Sequence, residues 1–533
     1  VPIDPNYPEE RIQYILKDSK IKILLTQQSL TDRFSGSSAE TIALDDPAHP
    51  VYRESKDNLS VSIDPEQLVY LIYTSGTTGQ PKAVMVRHGS LLNHALAMRE
   101  EYDLQPDDRM LQYISISFDA SAEEIYPTLI SGAALVLPQN AAEMTGNDLL
   151  DIIRTHSVSA LHLPVPMWHY FVDFLHEQGE PLPDSVRLIL VGGEAPSVQK
   201  FKLAAQKAHR PVTFMNLYGP TETTITALAF KMPLKEDVHF PHNQIPIGKP
   251  LTNVRTYILD SQLQPVPSGV VGEIYIGGIG VARGYLNRPE LTAERFMPDP
   301  FSDQPGARLY RTGDLGRFTE DGNILFAGRS DFQVKIRGLR IELGEIEAAL
   351  EKHPQVKEAI VLAKQYEGTP RLVAYLIPQK EANLTIAELR GFLGQHLPDY
   401  MIPAYFVALE SFPLTATGKI DRKRLPEPHF TREELADQYE APRNEKERIL
   451  ADIWQELLKM PKVGVKDNFF ELGGDSILSI QVIARANQKG LKITPKQLFE
   501  YPTIEGLAAV AEEGVAIQAE QGVVSGEFPL IPI

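Results

Sequence analysis

Short apolar runs alternate with amphipathic stretches through the first two thirds of the chain, and this alternation confines the fold to a layered α/β architecture. Leu68-Val69-Tyr70-Leu71-Ile72-Tyr73 is a buried-strand pattern, and residues 186–191 and 273–276 are two more. Helix-like segments, such as residues 147–155, lie between some of them. After about residue 328 the rhythm changes. Residues 332–336 alternate like an exposed-edge strand, and residues 342–353 carry Leu343, Ile346, Ala349 and Leu350 at helical spacing. The pattern predicts a large α/β unit over residues 1–330 and a smaller one over residues 331–425. Residues 426–443 are polar and hold Pro426, Pro428 and Pro442, which suits a linker. Residues 445–459 and 477–488 then read as amphipathic helices of a compact helical unit spanning residues 444–514, and a second linker begins at residue 515.

Composition removes several function classes. Acidic residues number 70 against 52 basic ones, a formal charge of −18, whereas nucleic-acid binding concentrates basic charge. There is no cysteine, so disulfides, cysteine nucleophiles and thiolate metal sites are excluded, and a reducing cytoplasm is the expected location. No apolar run is long enough to span a bilayer, and Val1-Pro2-Ile3-Asp4-Pro5 shows neither a basic leader nor a signal-type core. Neither a membrane nor a nucleic acid is expected as a partner. Both ends read as cuts from something longer.

The strand ending at Tyr73 runs into Thr74-Ser75-Gly76-Thr77-Thr78-Gly79-Gln80-Pro81-Lys82. Glycines let backbone N–H groups approach an anion, hydroxyls add donors and Lys82 adds charge, so the segment suits a phosphate. It is not a Walker loop, because Pro81 stands where that motif needs its second glycine. Three further segments offer nucleotide chemistry. Asn216-Leu217-Tyr218-Gly219-Pro220-Thr221-Glu222-Thr223 has an aromatic face, an amide and a carboxylate; Tyr310-Arg311-Thr312-Gly313-Asp314 places an acid after a turn; Gly418-Lys419-Ile420-Asp421 presents one lysine on a glycine-flexed loop. Taken singly, each has a plainer reading: Tyr218 as core, Asp314 as a turn residue, Lys419 as a solvated charge.

Together and in this order, the segments resemble the adenylation domain of a nonribosomal peptide synthetase, a branch of the adenylate-forming superfamily that includes acyl-CoA synthetases and luciferases. Phe118-Asp119-Ala120-Ser121, Gly272-Glu273-Ile274 and Gly328-Arg329-Ser330-Asp331-Phe332-Gln333-Val334-Lys335-Ile336-Arg337-Gly338 match further motifs, and the resemblance runs to about Leu425. In that family the large lobe begins before the Val-Pro-Ile-Asp-Pro segment, so the resemblance implies that its opening part is absent. Asp467-Asn468-Phe469-Phe470-Glu471-Leu472-Gly473-Gly474-Asp475-Ser476-Ile477 resembles a peptidyl carrier domain, a four-helix bundle whose serine receives 4′-phosphopantetheine from a phosphopantetheinyl transferase. The helix-start setting of Ser476 agrees with that role, since a phosphodiester gains from the positive helix end.

The resemblance implies two steps. An amino-acid carboxylate attacks the α-phosphorus of ATP, giving aminoacyl-AMP and pyrophosphate; the tethered thiol then takes the aminoacyl group. Thr74, Ser75, Gly76, Thr77, Thr78, Gly79 and Lys82 hold departing phosphates. Tyr218 stacks on adenine, Asn216 contacts its edge, Thr221 belongs to the same nucleotide set, Asp314 with Arg329 holds the ribose, and Glu222 binds Mg²⁺. Lys419 neutralises charge developing between carboxylate and α-phosphate. Between the steps the small lobe turns about a hinge at Asp331, Lys419 leaves, and the loop around Gly338 lines the thiol path.

Asp119 matches the partner of the substrate ammonium. The remaining pocket positions are Ala120, Glu123, His162, Leu190, Gly192, Leu217, Ile225 and Thr226. A buried Glu123 needs a partner, and a cationic side chain, ornithine or lysine, would supply one; the alternative is that His162 already does so. The residues Gly-Gly-Asp before Ser476, and the tail from Gly526 to Ile533, resemble the approach to an epimerisation domain, with a condensation domain as the alternative. Competing readings are an acyl-CoA ligase, disfavoured by Asp119 and the carrier segment, and an inactive carrier-docking fragment.

Overall fold

The computed structural model describes residues 1–513 apart from 35, 37, 58, 77, 78, 140, 142, 143, 332, 337, 338, 367, 368, 380–383, 415–419, 428–438, 459, 461, 471, 473 and 475; of Ser476 and Ile477 it describes the backbone. Two compact units divide the chain, Val1–Pro428 and His429–Ile533.

The first unit is built on a seven-stranded sheet. The strands Ala134–Val136, Arg109–Leu111, Ala160–Pro164, Leu188–Gly192 and Thr213–Tyr218 lie parallel, and Leu228–Pro233 and Lys249–Pro250 close one edge antiparallel. Parallel strands need crossover helices and are covered by them, which is why their sequences are continuous apolar runs. Val165–Glu177 and Val198–Lys207 are two such helices. The expected helix at 147–155 is Gly146–His156, started by a Thr145/Asp148 capping box and ended by Ser157 in the left-handed region. Register matters for the site: Pro164 pairs with Gly192 and Gly192 with Leu217, so the carboxyl ends of three strands form one row. Ligands in open parallel sheets bind at this end.

The strand predicted at 68–73 is Leu68–Thr74, paired antiparallel with Lys82–Arg87, with Thr74 opposite Lys82. The phosphate segment therefore joins two antiparallel strands rather than a strand to a helix, which separates it structurally from a Walker loop. Gly76 is required here, because a Cβ would come within 1.9 Å of the Gln80 carbonyl oxygen. The strands Val254–Leu259, Gly272–Gly278 and Arg308–Phe318 belong to a second, antiparallel sheet.

The smaller lobe begins with the hairpin Gln333–Ile336 and Leu339–Glu342, then the helix Leu343–Leu350 and a three-stranded sheet of Val356–Tyr366, Thr369–Pro378 and Tyr405–Ala408. Ile346, Ala349 and Leu350 are buried as their spacing predicts. The helix is shorter than the periodicity suggests because Pro354 disfavours helical backbone at the residue before it. The first strand is not an exposed edge: Gln333 and Ile336 are buried.

In the second unit, the helices Glu445–Leu457, Ser476–Gln488, Pro495–Glu500 and Ile504–Val510 enclose a core of Leu450, Ile453, Trp454, Phe469, Val482 and Leu507. Asn444 caps the first helix through the N–H of Glu447. Among the described residues no helix is long and apolar enough to cross a membrane.

Candidate functional site

A cavity of about 380 Å³ opens at the carboxyl ends of the parallel strands. Asp119, Ala120, Glu123, His162, Gly192, Leu217, Ile225 and Thr226 line one part of it. Thr74, Ser75, Thr221, Asp314 and Arg329 line another, so residues far apart in sequence share one wall. Among the expected residues that the structure describes, Gly76, Gly79, Lys82, Leu190, Asn216, Tyr218, Glu222 and Asp331 are not on that wall. Leu190 is packed in the sheet core with Leu188 and Met215. Asn216 is buried, and its amide nitrogen donates to the Pro246 carbonyl at 2.7 Å. Thr77, Thr78, Gly338 and Lys419 lie outside the described residues.

Asp119 immediately precedes the helix Ala120–Ile130. Burial, joined by nearby Glu222 and Glu123, raises its pKa to about 6 against a hydrogen bond with Thr221. A buried carboxyl group in this setting lacks, among the described residues, a cationic partner that would favour its ionised form. Deeper in the pocket, Glu123 is 1% exposed. Burial alone would raise its pKa, but the ring of His94 at 3.4 Å, with His162 and the Thr226 hydroxyl at 3.2 Å, holds it below the ordinary value. Burial pushes His162 below the ordinary histidine value, leaving a neutral ring at pH 7. The carboxylate neighbour is therefore His94, from the helix His88–Tyr102, which sequence reasoning missed. Its position within an apolar helix looks like any core histidine, so no local signal marks it. Glu123 Oε1 and His162 Nδ1 are buried with no hydrogen-bond partner among the described residues.

Around Asp314, the Tyr218 hydroxyl donates to the carboxylate, and the Arg329 guanidinium pairs with both Asp314 and Asp331. Burial opposes ionisation of Asp331, but the bond from Arg329 outweighs it and its pKa falls below the ordinary value. Asp331 is tied to the same arginine that grips Asp314. Lys335, from the small-lobe hairpin, lies 5.4 Å from the Tyr218 ring centroid and lines the cavity.

Glu222 is fully buried. Oε1 accepts from the Tyr285 hydroxyl at 2.7 Å, and Oε2 accepts from Arg340 at 2.6 Å. Burial is outweighed by Arg340 and Lys82, which lower its pKa to about 2. Such an ionised hard-oxygen group fits a magnesium ion, provided Arg340 withdraws. Lys82 is buried 3.5 Å from Glu342, and its pKa falls to about 8, chiefly by burial and then by the nearby Arg340. The phosphate segment itself is engaged by the small lobe. Gly76 N–H donates to Glu345 at 3.0 Å, and the Ser75 hydroxyl donates to the Arg340 carbonyl at 2.9 Å. In the second unit Ser476 opens the helix Ser476–Gln488, whose positive end favours a phosphodiester; Asp475 lies outside the described residues.

Comparison with known proteins places these features in context. Residues 1–286 match the AMP-binding enzyme family, 345–419 the AMP-binding enzyme C-terminal domain, and 448–511 the phosphopantetheine attachment site. The chain is 42% identical to tyrocidine synthase 1 of Brevibacillus parabrevis, over all of this chain and 47% of that protein. It is 43% identical to tyrocidine synthase 2 of the same organism, over all of this chain and 14% of that protein. It thus spans less than half the length of these curated relatives. Among solved structures, holo-PA1221, an NRPS protein containing adenylation and PCP domains bound to a vinylsulfonamide inhibitor, aligns with a TM-score of 0.75 at 26% identity, covering 96% of this chain and 84% of that one.

Proposed function

The chain belongs to the AMP-binding enzymes, as an adenylation domain of the nonribosomal peptide synthetase kind followed by a carrier domain, and we propose that it activates an α-amino acid with ATP and passes it to its own carrier. The observation that carries this reading is the single cavity in which Asp119, the partner for an ammonium, faces the same space as Ser75, Asp314 and Arg329. The chemistry needs little covalent help from protein. Holding the carboxylate against the α-phosphorus and stabilising charge are enough. Asp119 fixes the amino end, Asp314 accepts hydrogen bonds from the ribose, and Glu222 holds the magnesium ion. Phosphopantetheine on Ser476 would supply the thiol that receives the aminoacyl group, after addition by a phosphopantetheinyl transferase. An epimerisation or condensation domain would act next, and the cytoplasm is the proposed setting.

For the side chain we propose a basic substrate, ornithine or lysine. Glu123 Oε1 faces the His94 ring at 3.4 Å without a hydrogen bond among the described residues, and an amine reaching it would supply one. ATP–pyrophosphate exchange over all the amino acids tests both levels. Exchange with none removes the adenylation reading; best exchange with an aliphatic or aromatic amino acid removes the basic one.

Lys419 is assigned to the first step alone. Lys419→Ala is expected to slow adenylate formation by about 10²–10³-fold, the range for losing one transition-state charge partner. Acyl transfer from supplied aminoacyl adenylate should fall much less. Equal losses in the two assays refute the role.

A further inference from the structure

The inner end of the amino-acid pocket gathers buried polar atoms from three elements: Glu123 Oε1 on the helix Ala120–Ile130, His94 Nε2 on the helix His88–Tyr102 and His162 Nδ1 on the strand Ala160–Pro164. All three are without a hydrogen bond among the described residues. His94 Nε2 lies 3.4 Å from Glu123 Oε1, and His162 is close enough to both for the charges to influence one another. We propose that these three atoms are the acceptors for the side-chain ammonium of the substrate, with His94 a specificity-determining residue that selects a primary amine over a neutral chain or a guanidinium. The inference rests on the basic-substrate reading.

A buried polar atom left unpaired is costly, so three in one place point to a polar ligand. An ammonium fits by its chemistry, because one nitrogen carries three donors and no acceptor. A carboxylate oxygen and two neutral imidazole nitrogens accept one bond each. Charge agrees. Burial keeps His162 neutral, and His94 is the largest influence holding Glu123 ionised against burial. An arriving ammonium takes over that task, and the His94 ring, with its proton on Nδ1, becomes an acceptor. One carboxylate and one ammonium then leave the buried site without net charge. The Tyr102 hydroxyl, a further buried atom without a hydrogen bond and within the influence of Glu123, is free to donate to the carboxylate. A guanidinium spreads five donors over a plane and suits convergent acceptors poorly, and a methyl end supplies no donor. Two imidazoles and a carboxylate also suggest a metal ion, but among the described residues no such group is placed to hold one. Nitrogen ligands close on zinc to about 2.0–2.1 Å, whereas an ammonium bonds at about 2.9 Å and accepts wider spacing.

His94→Gln and His94→Asn test the claim, since both keep a polar amide in the buried site but only glutamine carries its oxygen as far as Nε2. ATP–pyrophosphate exchange of the full chain is measured with lysine, ornithine and arginine, and with norleucine and norvaline, which have the carbon chains of lysine and ornithine without the amine. The parent should favour lysine or ornithine over its neutral match, and over arginine, by at least about tenfold in kcat/KM, the scale of hydrogen bonds to a charged group. In His94→Asn the preference over the neutral match should fall about tenfold. The loss should lie in KM rather than kcat, as expected for binding shared by ground and transition states. His94→Gln should recover at least about threefold of that loss, because its oxygen still accepts. An unchanged preference in the Asn variant, equal losses for basic and neutral amino acids, a Gln variant no better than Asn, or a parent that favours arginine overturns the proposal. Failure of the basic-substrate reading shows separately, as a parent that favours norleucine or norvaline.

Discussion

Ser476→Ala should abolish covalent loading of the carrier and leave amino-acid-dependent pyrophosphate exchange within about twofold of the parent, far below the tenfold that 1.4 kcal/mol represents. The separation follows from the architecture. Every residue on the cavity wall belongs to Val1–Pro428, whereas Ser476 begins a helix in the other compact unit. That helix is held by burying Val482, Ile483 and Ala486 against Trp454, Phe469 and Leu507, contacts that a change at its first residue does not remove. Intact mass of the phosphopantetheinylated protein after incubation with ATP, magnesium and an amino-acid mixture gives the answer. The parent gains the mass of one aminoacyl group and the variant gains none. Retained loading in the variant would refute the carrier assignment, and loss of exchange would mean that the carrier serine matters to the first step.

Much of this organisation is legible in the chain because it is local. The Leu68–Thr74 strand, the glycine-hydroxyl segment after it and the helix Gly146–His156 each carry their signal within about ten residues. The pocket was legible through motif order, but not every expected position reaches it, as Asn216 and Leu190 illustrate. Asn216 neighbours Leu217 in one strand, and the pleat sends adjacent side chains to opposite faces; only Leu217 meets the cavity. Leu190 shares a face with Gly192 but sits two residues farther from the strand end, roughly 6–7 Å deeper, inside the packed layer. The residues that sequence reasoning missed come from afar. Arg340 meets Glu222 across 118 positions and Glu345 meets Gly76 across 269. No periodicity or composition records such pairings, because they depend on how two separately patterned lobes meet.

Asp119→Asn should lower kcat/KM for the amino acid by about 10²–10⁴-fold, because removing one member of a buried ion pair costs roughly 3–5 kcal/mol. The pH profile ties the loss to charge. With the Asp119 pKa raised to about 6, the carboxyl is ionised at pH 8 and takes up a proton below pH 6. An ammonium has no attraction to the neutral acid, so the parent's kcat/KM should fall roughly tenfold per pH unit below that point. The Asn variant should be low throughout and lack this limb. Stability moves oppositely. The folded-state pKa lies above the ordinary 3.8, so the unfolded chain releases the proton first as pH rises. Ionised Asp119 therefore lowers stability progressively between about pH 4 and 6, and the penalty persists above. Asparagine has no such penalty, so the variant should melt no lower than the parent at pH 8 while binding its amino acid poorly. A pH limb that survives in Asp119→Asn would place the titrating group elsewhere, and an unchanged kcat/KM would remove Asp119 from amino-acid recognition.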